Sequence, residues 1–143
     1  NLPIPFLKLD ESFDFKNKEL NKKVEIPKIK YNVFHITQRH RCDFDWKKLI
    51  QEQSEPNYFI GLKEEYDEII KDYKVKDNLI YYGHKVKDVY DMAIMINNAE
   101  NIFCNPSVVH CLAVGLNLPY NLVVHPDFDA VKTFLPIETI VNK

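Results

Sequence analysis

Apolar and polar positions follow two alternating rhythms between residues 31 and 135. Short runs of β-branched and aromatic residues predict buried strands, and apolar residues three and four positions apart predict helices with one buried face. The predicted strands are residues 31–37, 57–62, 78–82, 101–104 and 118–124. Helices are predicted in the gaps between these strands and again at 127–135. Because strands and helices alternate with short joints, we predict an α/β domain, a parallel sheet of about five strands with helices on both faces.

Residues 1–30 differ from this pattern. Three prolines interrupt a stretch rich in Lys, Glu and Asn, and each proline favours extended backbone in the residue before it. An apolar cluster at residues 2–9 could lie as an extended strap against another surface. We therefore predict a linker or interdomain strap over residues 1–30 and the folded domain over 31–143. The chain begins with Asn1 rather than Met, which suggests a processed or excised piece.

The composition excludes several classes of protein. With 143 residues, 45% hydrophobic and 28% charged, the chain fits one globular domain, and no apolar run is long enough for a transmembrane helix. The net charge of −2 comes from interleaved acidic and basic residues, without the basic stripe that binds nucleic acid. The three glycines are too far apart to form the dinucleotide-binding motif G-x-G-x-x-G or the P-loop motif G-x-x-x-x-G-K-[ST]. Three cysteines without C-x-x-C spacing argue against a disulfide framework and favour a reducing, cytoplasmic location.

Ligands of open parallel sheets bind at the carboxyl ends of the strands, so the residues just after each strand are the candidates for a site. The fourth strand is followed by Asn105, Pro106 and Ser107, which predict the start of a helix with Asn105 as its cap. Free backbone N–H groups and the positive end of the helix dipole would face a phosphate there, and His110 would add a donor. The alternative is that these residues only cap the helix and that His110 is a satisfied polar residue.

The glycines and arginines at the other strand exits each have two interpretations, one as ligand-binding residues and one as ordinary turn or loop residues. Gly61 and Gly83 would let a base or ribose approach the backbone closely, or would only supply a positive φ for a turn. Arg39 and Arg41 follow the first strand, where a guanidinium could grip a phosphate or carboxylate. The alternative for both arginines is an exposed position in a loop.

The spacing of the His, Cys and Asp residues gives little support for a metal site or a catalytic nucleophile. Two His–Cys pairs are suggestive, at residues 40/42 and 110/111, but no four-ligand zinc pattern appears. Cys104 and Cys111 fit buried hydrophobic positions better, and the aspartate pairs fit helix N-termini. We therefore predict no metal and identify no general base.

The stretch from Ile102 to Pro119 resembles the late strand–helix–strand unit of GT-B fold glycosyltransferases, and most closely the heptosyltransferase-like family. Where that family has Asp-Thr-Gly, this chain has Asn105-Pro106-Ser107, and His110 falls in register with the family's histidine. The family's helix of small residues ends in Gly-x-Pro, and the helix here closes with a slightly longer Gly-to-Pro stretch.

Upstream residues agree with this resemblance. Residues 33–39, followed by Asp45-Trp46 and Leu49-Ile50, resemble the first strand and helix of the family's C-terminal domain. The strap at 2–9 resembles its interdomain linker. The resemblance covers most of residues 30–125 and implies the Rossmann-like half of the enzyme, which binds the donor, a nucleoside-diphosphate sugar.

The resemblance also implies roles for individual residues. The start of the fourth helix would hold the diphosphate, Gly83 and His84 would lie near the base, and Gln38 and Arg39 would lie near the phosphates or sugar. The predicted nucleotide-binding residues are Gln38, Arg39, Gly61, Gly83, His84, Asn105, Ser107, Val108 and His110. No metal or other cofactor is implied. In this family the acceptor and the usual catalytic base come from an N-terminal domain, so this chain alone is expected to bind weakly and not to turn over.

Two other functions fit the same residues. A stand-alone binding module would use the same sheet edge for a nucleotide or nucleotide sugar without catalysis. A flavodoxin-like or regulatory interaction domain would explain the loop residues as caps and turns. The expected partners are a nucleotide sugar, an N-terminal domain, or a second copy of this chain associated through the strap at 2–9.

Overall fold

The computed structural model describes residues 24–125 and 139–142, in which six strands form one parallel sheet. The strands are β1 (Asn32–His35), β2 (Asn57–Phe59), β3 (Ile80–Tyr81), β4 (Asn101–Cys104), β5 (Asn121–Val124) and β6 (Thr139–Asn142). Their order is β3-β2-β1-β4-β5-β6, so the chain builds outward from β1 on one side and then returns to build outward on the other. This order is the doubly wound arrangement of Rossmann folds.

Helices connect the strands on both faces of the sheet. They are α1 (Trp46–Gln51), α2 (Lys63–Tyr73), α3 (Val89–Asn97) and α4 (Val108–Gly115), with a short 3-10 turn at Gly83–Lys85. Aspartate side chains cap two of them, as their acceptor oxygens allow. Asp45 accepts from the Lys48 backbone N–H at 3.0 Å, and Asp88 accepts from the Asp91 N–H at 2.8 Å.

Alternate residues of β1 enter two separate hydrophobic clusters, one on each face of the sheet. Val33 packs in a cluster with residues of α3 and α4, such as Ile94 and Val109. Phe34 packs in the other cluster with residues of α1 and α2, and its ring stacks on Phe103 of β4 at 4.7 Å. Because β1 is buried on both faces, it is the centre of the core.

The amino ends of the strands are joined by side-chain amides. Asn101 donates to Asn32 at 2.9 Å, and Asn32 donates to Asn57 at 3.1 Å. The amide nitrogen of Asn57 then donates to the carbonyl oxygens of Ile50 and Asn78, both at 3.0 Å. We call Asn101, Asn32 and Asn57 the amide ladder. It gives buried polar groups of three adjacent strands a partner inside the protein.

The predicted fold class is confirmed, and the structure adds one element to it. A sixth strand, β6, pairs parallel to β5 and was not predicted. Val24 is buried in the cluster under α3 and α4, so this residue of the predicted linker belongs to the core. The predicted strap at 2–9 and the predicted helix at 127–135 lie outside the described residues. In the described part of the chain no helix is long and apolar enough to cross a membrane.

Candidate functional site

The strand order reverses between β1 and β4, and the backbone diverges there in two directions. The loop after β1 leads to α1 on one face, while Asn105, Pro106 and Ser107 lead from β4 into α4 on the other face. In doubly wound sheets the crevice at such a reversal, outside the carboxyl ends of the strands, is where ligands bind. We call this side of the sheet the carboxyl edge, and the side of the amide ladder the amino edge.

An open cleft of about 280 Å³ lies at this reversal. The residues that line it are Arg39, His40, Arg41, Cys42, Pro106, Val124 and His125. They come from the loop after β1 and from the ends of β4 and β5, and none of them carries a carboxylate. A cleft whose described lining has two guanidinium groups and no acidic side chain favours an anionic ligand.

The loop after β1 is held by the acidic face of α2. Gln38 donates to the Glu68 carboxylate, and Arg41 donates to Asp72 at 2.6 Å. The Arg41 guanidinium also lies 5.0 Å from the centre of the Tyr73 ring. Arg39, between these two anchored residues, is exposed and makes no hydrogen bond or ion pair with a described residue. The structure therefore leaves Arg39 available to a ligand, while the side chain of Gln38 is committed to Glu68.

Asn105 does not cap α4, which corrects the prediction from sequence. Its side-chain oxygen accepts from the Thr37 backbone N–H at 2.9 Å, and its amide nitrogen donates to the Thr37 carbonyl at 2.8 Å. The residue at the cap position is Ser107, and Pro106 precedes it rather than lying in the first turn. Asn105 is fully buried and fastens the exits of β1 and β4 together. Its role in the site is structural, because it holds the loop after β1 against the connection from β4 to α4.

The first turn of α4 carries polar atoms that have no partner within the described residues. The Ser107 hydroxyl makes no capping bond, and neither it nor Nε2 of His110 has a hydrogen-bond partner in residues 24–125 and 139–142. His110 is buried and packs against Tyr120 with ring centres 5.1 Å apart. Burial lowers the pKa of His110, so the imidazole is neutral near pH 7. Val108 is exposed beside them.

Neither Gly61 nor Gly83 has a positive φ. The turn explanation for these glycines is therefore wrong. A Cβ on Gly83 would lie 2.3 Å from the Gly61 carbonyl oxygen and 2.5 Å from the Tyr81 hydroxyl, so protein atoms already fill that space. His84, just after Gly83, is exposed with its ring centre 5.8 Å from that of Tyr81.

The sequence analysis missed His35, the last residue of β1. It is 4% exposed, and its Nδ1 lies 2.5 Å from the Ile60 carbonyl oxygen. Nε2 on the other side of the ring is buried and has no partner among the described residues. Burial lowers the pKa of His35, against the opposing effects of the Ile60 hydrogen bond and of Glu65. The available signal was a histidine directly after the apolar pair Val33-Phe34 in the predicted first strand.

Neither a metal centre nor a known relative defines this site. Within residues 24–125 and 139–142, no three His, Cys, Asp or Glu residues cluster closely enough to hold a metal ion. Comparison with protein families, curated proteins and solved structures finds no match.

Proposed function

We propose that this chain binds the diphosphate of a nucleoside-diphosphate sugar at the carboxyl edge, as the donor-binding half of a glycosyltransferase. The observation that carries the proposal is the convergence of donors at the strand-order reversal. The first turn of α4 offers backbone N–H groups and the unpartnered Ser107 hydroxyl, and the cleft beside it exposes Arg39. Buried polar groups without partners are rare in folded proteins, and a ligand is one of the few explanations for them.

Two further features support an anion rather than a neutral ligand. The N-terminus of α4 carries the positive end of its dipole and has no acidic residue in its first turn. Pro106 lines the cleft and directly precedes Ser107, so the start of α4 follows the cleft lining along the chain. A diphosphate is long enough to use both the cleft and the start of α4, whereas a single carboxylate would use only one.

The chemistry that follows is displacement at an anomeric carbon with the nucleoside diphosphate as leaving group. Negative charge grows on the diphosphate as the glycosidic bond breaks, and fixed N–H donors and Arg39 would stabilise that charge. The acceptor and the catalytic base are assigned to a second domain by the resemblance described above. An upstream α/β domain in the same reading frame would support the transferase. Nucleotide binding by a chain without such a domain would favour the stand-alone binding module.

The test is calorimetric titration of the chain with ADP, UDP, GDP, CDP and their common sugar conjugates. We expect measurable binding with one base preferred. Arg39→Gln is expected to weaken binding about tenfold, because a charge-assisted hydrogen bond to phosphate is lost. Lys76→Gln is the matched control, since Lys76 is an exposed cation between α2 and β3 at the amino edge. No binding by any nucleotide, or equal losses in both variants, would contradict the proposal.

A further inference from the structure

The hydrogen bond of His35 fixes the chemical character of its free nitrogen. A carbonyl oxygen can only accept, so the contact between Nδ1 and the Ile60 carbonyl requires the proton to be on Nδ1. In the neutral ring the opposite nitrogen, Nε2, then carries a lone pair and no hydrogen. His35 therefore presents a hydrogen-bond acceptor, not a donor, at the end of the central strand.

The surroundings keep this imidazole neutral. His35 lies almost entirely out of water, and burial lowers its pKa below the ordinary value. Glu65 of α2 is the charged group whose field reaches it among the described residues, and its opposing effect is smaller than that of burial. A neutral Nε2 lone pair repels the oxygen of a fully ionised phosphate, so the diphosphate alone is a poor partner for it.

His35 nevertheless belongs to the same edge as the proposed phosphate site. In the pairing of β1 with β4 it lies opposite Cys104, three residues before Ser107. Adjacent strands are about 4.8 Å apart, so His35 at the end of β1 and Ser107 just after β4 belong to neighbouring positions of the carboxyl edge. An acceptor next to an anion site fits a ligand that joins phosphates to hydroxyl groups.

We propose that Nε2 of His35 accepts a hydrogen bond from a hydroxyl group of the bound ligand, and so makes this edge selective for a polyhydroxylated phosphate ester. The inference rests on the proposed function and names the part of the ligand that His35 recognises. The hydroxyl belongs either to the ribose of the nucleotide or to the attached sugar. Inorganic pyrophosphate, which has no carbon-bound hydroxyl, would leave Nε2 without a partner.

The first test needs no ligand. In ¹⁵N-labelled protein, two-bond ¹H–¹⁵N correlations identify which ring nitrogen of each histidine carries hydrogen, and the His35 signals are those lost in His35→Asn. We expect the Nδ1–H tautomer with an unprotonated Nε2 at pH 7. A proton on Nε2 at pH 7 would overturn the inference, because the nitrogen could not then accept.

The second test compares binding of two proteins to matched ligands. His35→Asn keeps an amide donor close to the position of Nδ1 and removes Nε2, so the Ile60 carbonyl retains a partner. Wild type is expected to bind a ribonucleoside diphosphate about tenfold more tightly than its 2′-deoxy or 3′-deoxy form, and His35→Asn to bind all three equally. The unfolding midpoints of both proteins without ligand are measured alongside, to separate recognition from folding.

The binding measurements distinguish a ribose hydroxyl from a sugar hydroxyl, and failure of this inference from failure of the proposed function. If deoxyribose forms bind normally but a nucleotide sugar binds more tightly than the diphosphate, and only in wild type, the hydroxyl is that of the sugar. If wild type and His35→Asn bind every ligand alike, Nε2 faces only buried water and the inference fails while the proposed function stands. If no nucleotide binds wild type, both are overturned.

Discussion

The two edges of the sheet treat their buried polar groups in opposite ways. At the amino edge Asn32 and Asn57 are almost completely buried, and their amide groups are paired through the amide ladder. At the carboxyl edge the Ser107 hydroxyl and Nε2 of both His35 and His110 have no partner among the described residues. In the described part of the chain, the buried amides of the amino edge are therefore paired with one another, while these three polar atoms of the carboxyl edge are not paired.

This difference assigns stability to the amino edge of the sheet and ligand recognition to its carboxyl edge. A buried polar group without a partner costs about 1–3 kcal/mol, so a sequence under selection for stability alone would not retain several of them together. The amide ladder is interpreted as structural because the buried amides of Asn32 and Asn57 are bonded to the protein itself. The open groups of the carboxyl edge are interpreted as recognition groups because a ligand would supply what the protein omits.

The largest effect is expected at the amino edge. Asn57→Ala removes three hydrogen bonds and leaves the Ile50 and Asn78 carbonyls and the Asn32 amide short of a partner. We expect a loss of about 3 kcal/mol in the free energy of unfolding, measured by urea denaturation. Asn78→Ala is the control, because Asn78 is an asparagine just before β3 at the same edge and is exposed. Equal losses of stability in the two variants would show that the buried amide ladder does not stabilise the amino edge.

The next largest effect is expected where two strand exits touch. Gly83→Ala places a Cβ 2.3 Å from the Gly61 carbonyl oxygen, and backbone must move to relieve that contact. We expect a cost of about 2 kcal/mol in thermal or urea unfolding. Gly61→Ala is the comparison variant, since its Cβ would meet only side-chain atoms, the nearest at 3.0 Å. A loss for Gly61→Ala as large as that for Gly83→Ala would show that this contact does not limit the packing.

A smaller effect is expected from pH, and its sign follows from burial. The pKa values of His35 and His110 are lowered in the folded chain, so the unfolded chain binds more protons as the pH falls. The stability that comes from keeping these rings neutral is present above about pH 6.5 and is lost below it, at no more than about 1.4 kcal/mol per pH unit for each ring. In His35→Asn the unfolding midpoint should fall less steeply between pH 7 and 5. Identical slopes would mean that His35 is not buried in its neutral form.

The smallest effect on stability is expected at Ser107. A serine at a helix cap normally contributes about 1 kcal/mol, but this hydroxyl makes no capping bond. Ser107→Ala should therefore change the free energy of unfolding by less than about 0.5 kcal/mol, while weakening nucleotide binding. A clear loss of stability would show that the hydroxyl already has a role in the fold.

The fold was accessible from the sequence because periodicity reports burial directly. The apolar runs of β1 and β4 and the helical spacing in α2 predicted those elements well. The extents were less accurate: the third strand was predicted at 78–82, and β3 is only Ile80–Tyr81. Short edge strands are set by pairing with a neighbour, which a linear pattern does not contain.

The site was predicted only in outline, because its details depend on contacts distant in sequence. The carboxyl edge followed from the fold, but the bonds of Asn105 to Thr37 span 68 residues and no local pattern indicates them. The bond of Gln38 to Glu68 is equally remote. The amide ladder did leave a trace, since an asparagine begins each of β1, β2 and β4, but the repetition is visible only once the strands are aligned.

The amide ladder also has a consequence for how the sheet assembles. Asn57 lies 25 residues from Asn32, whereas Asn101 lies 69 residues from it, so β2 can reach β1 through a much shorter loop than β4 can. Because short loops close at lower entropic cost, the half containing β1, β2 and β3 should form first and wait for β4. A shift of β4 by one residue would turn Asn101 to the opposite face and leave Asn32 half-bonded. The ladder thereby makes the mispaired sheet less stable than the correct one at the step where the two halves join.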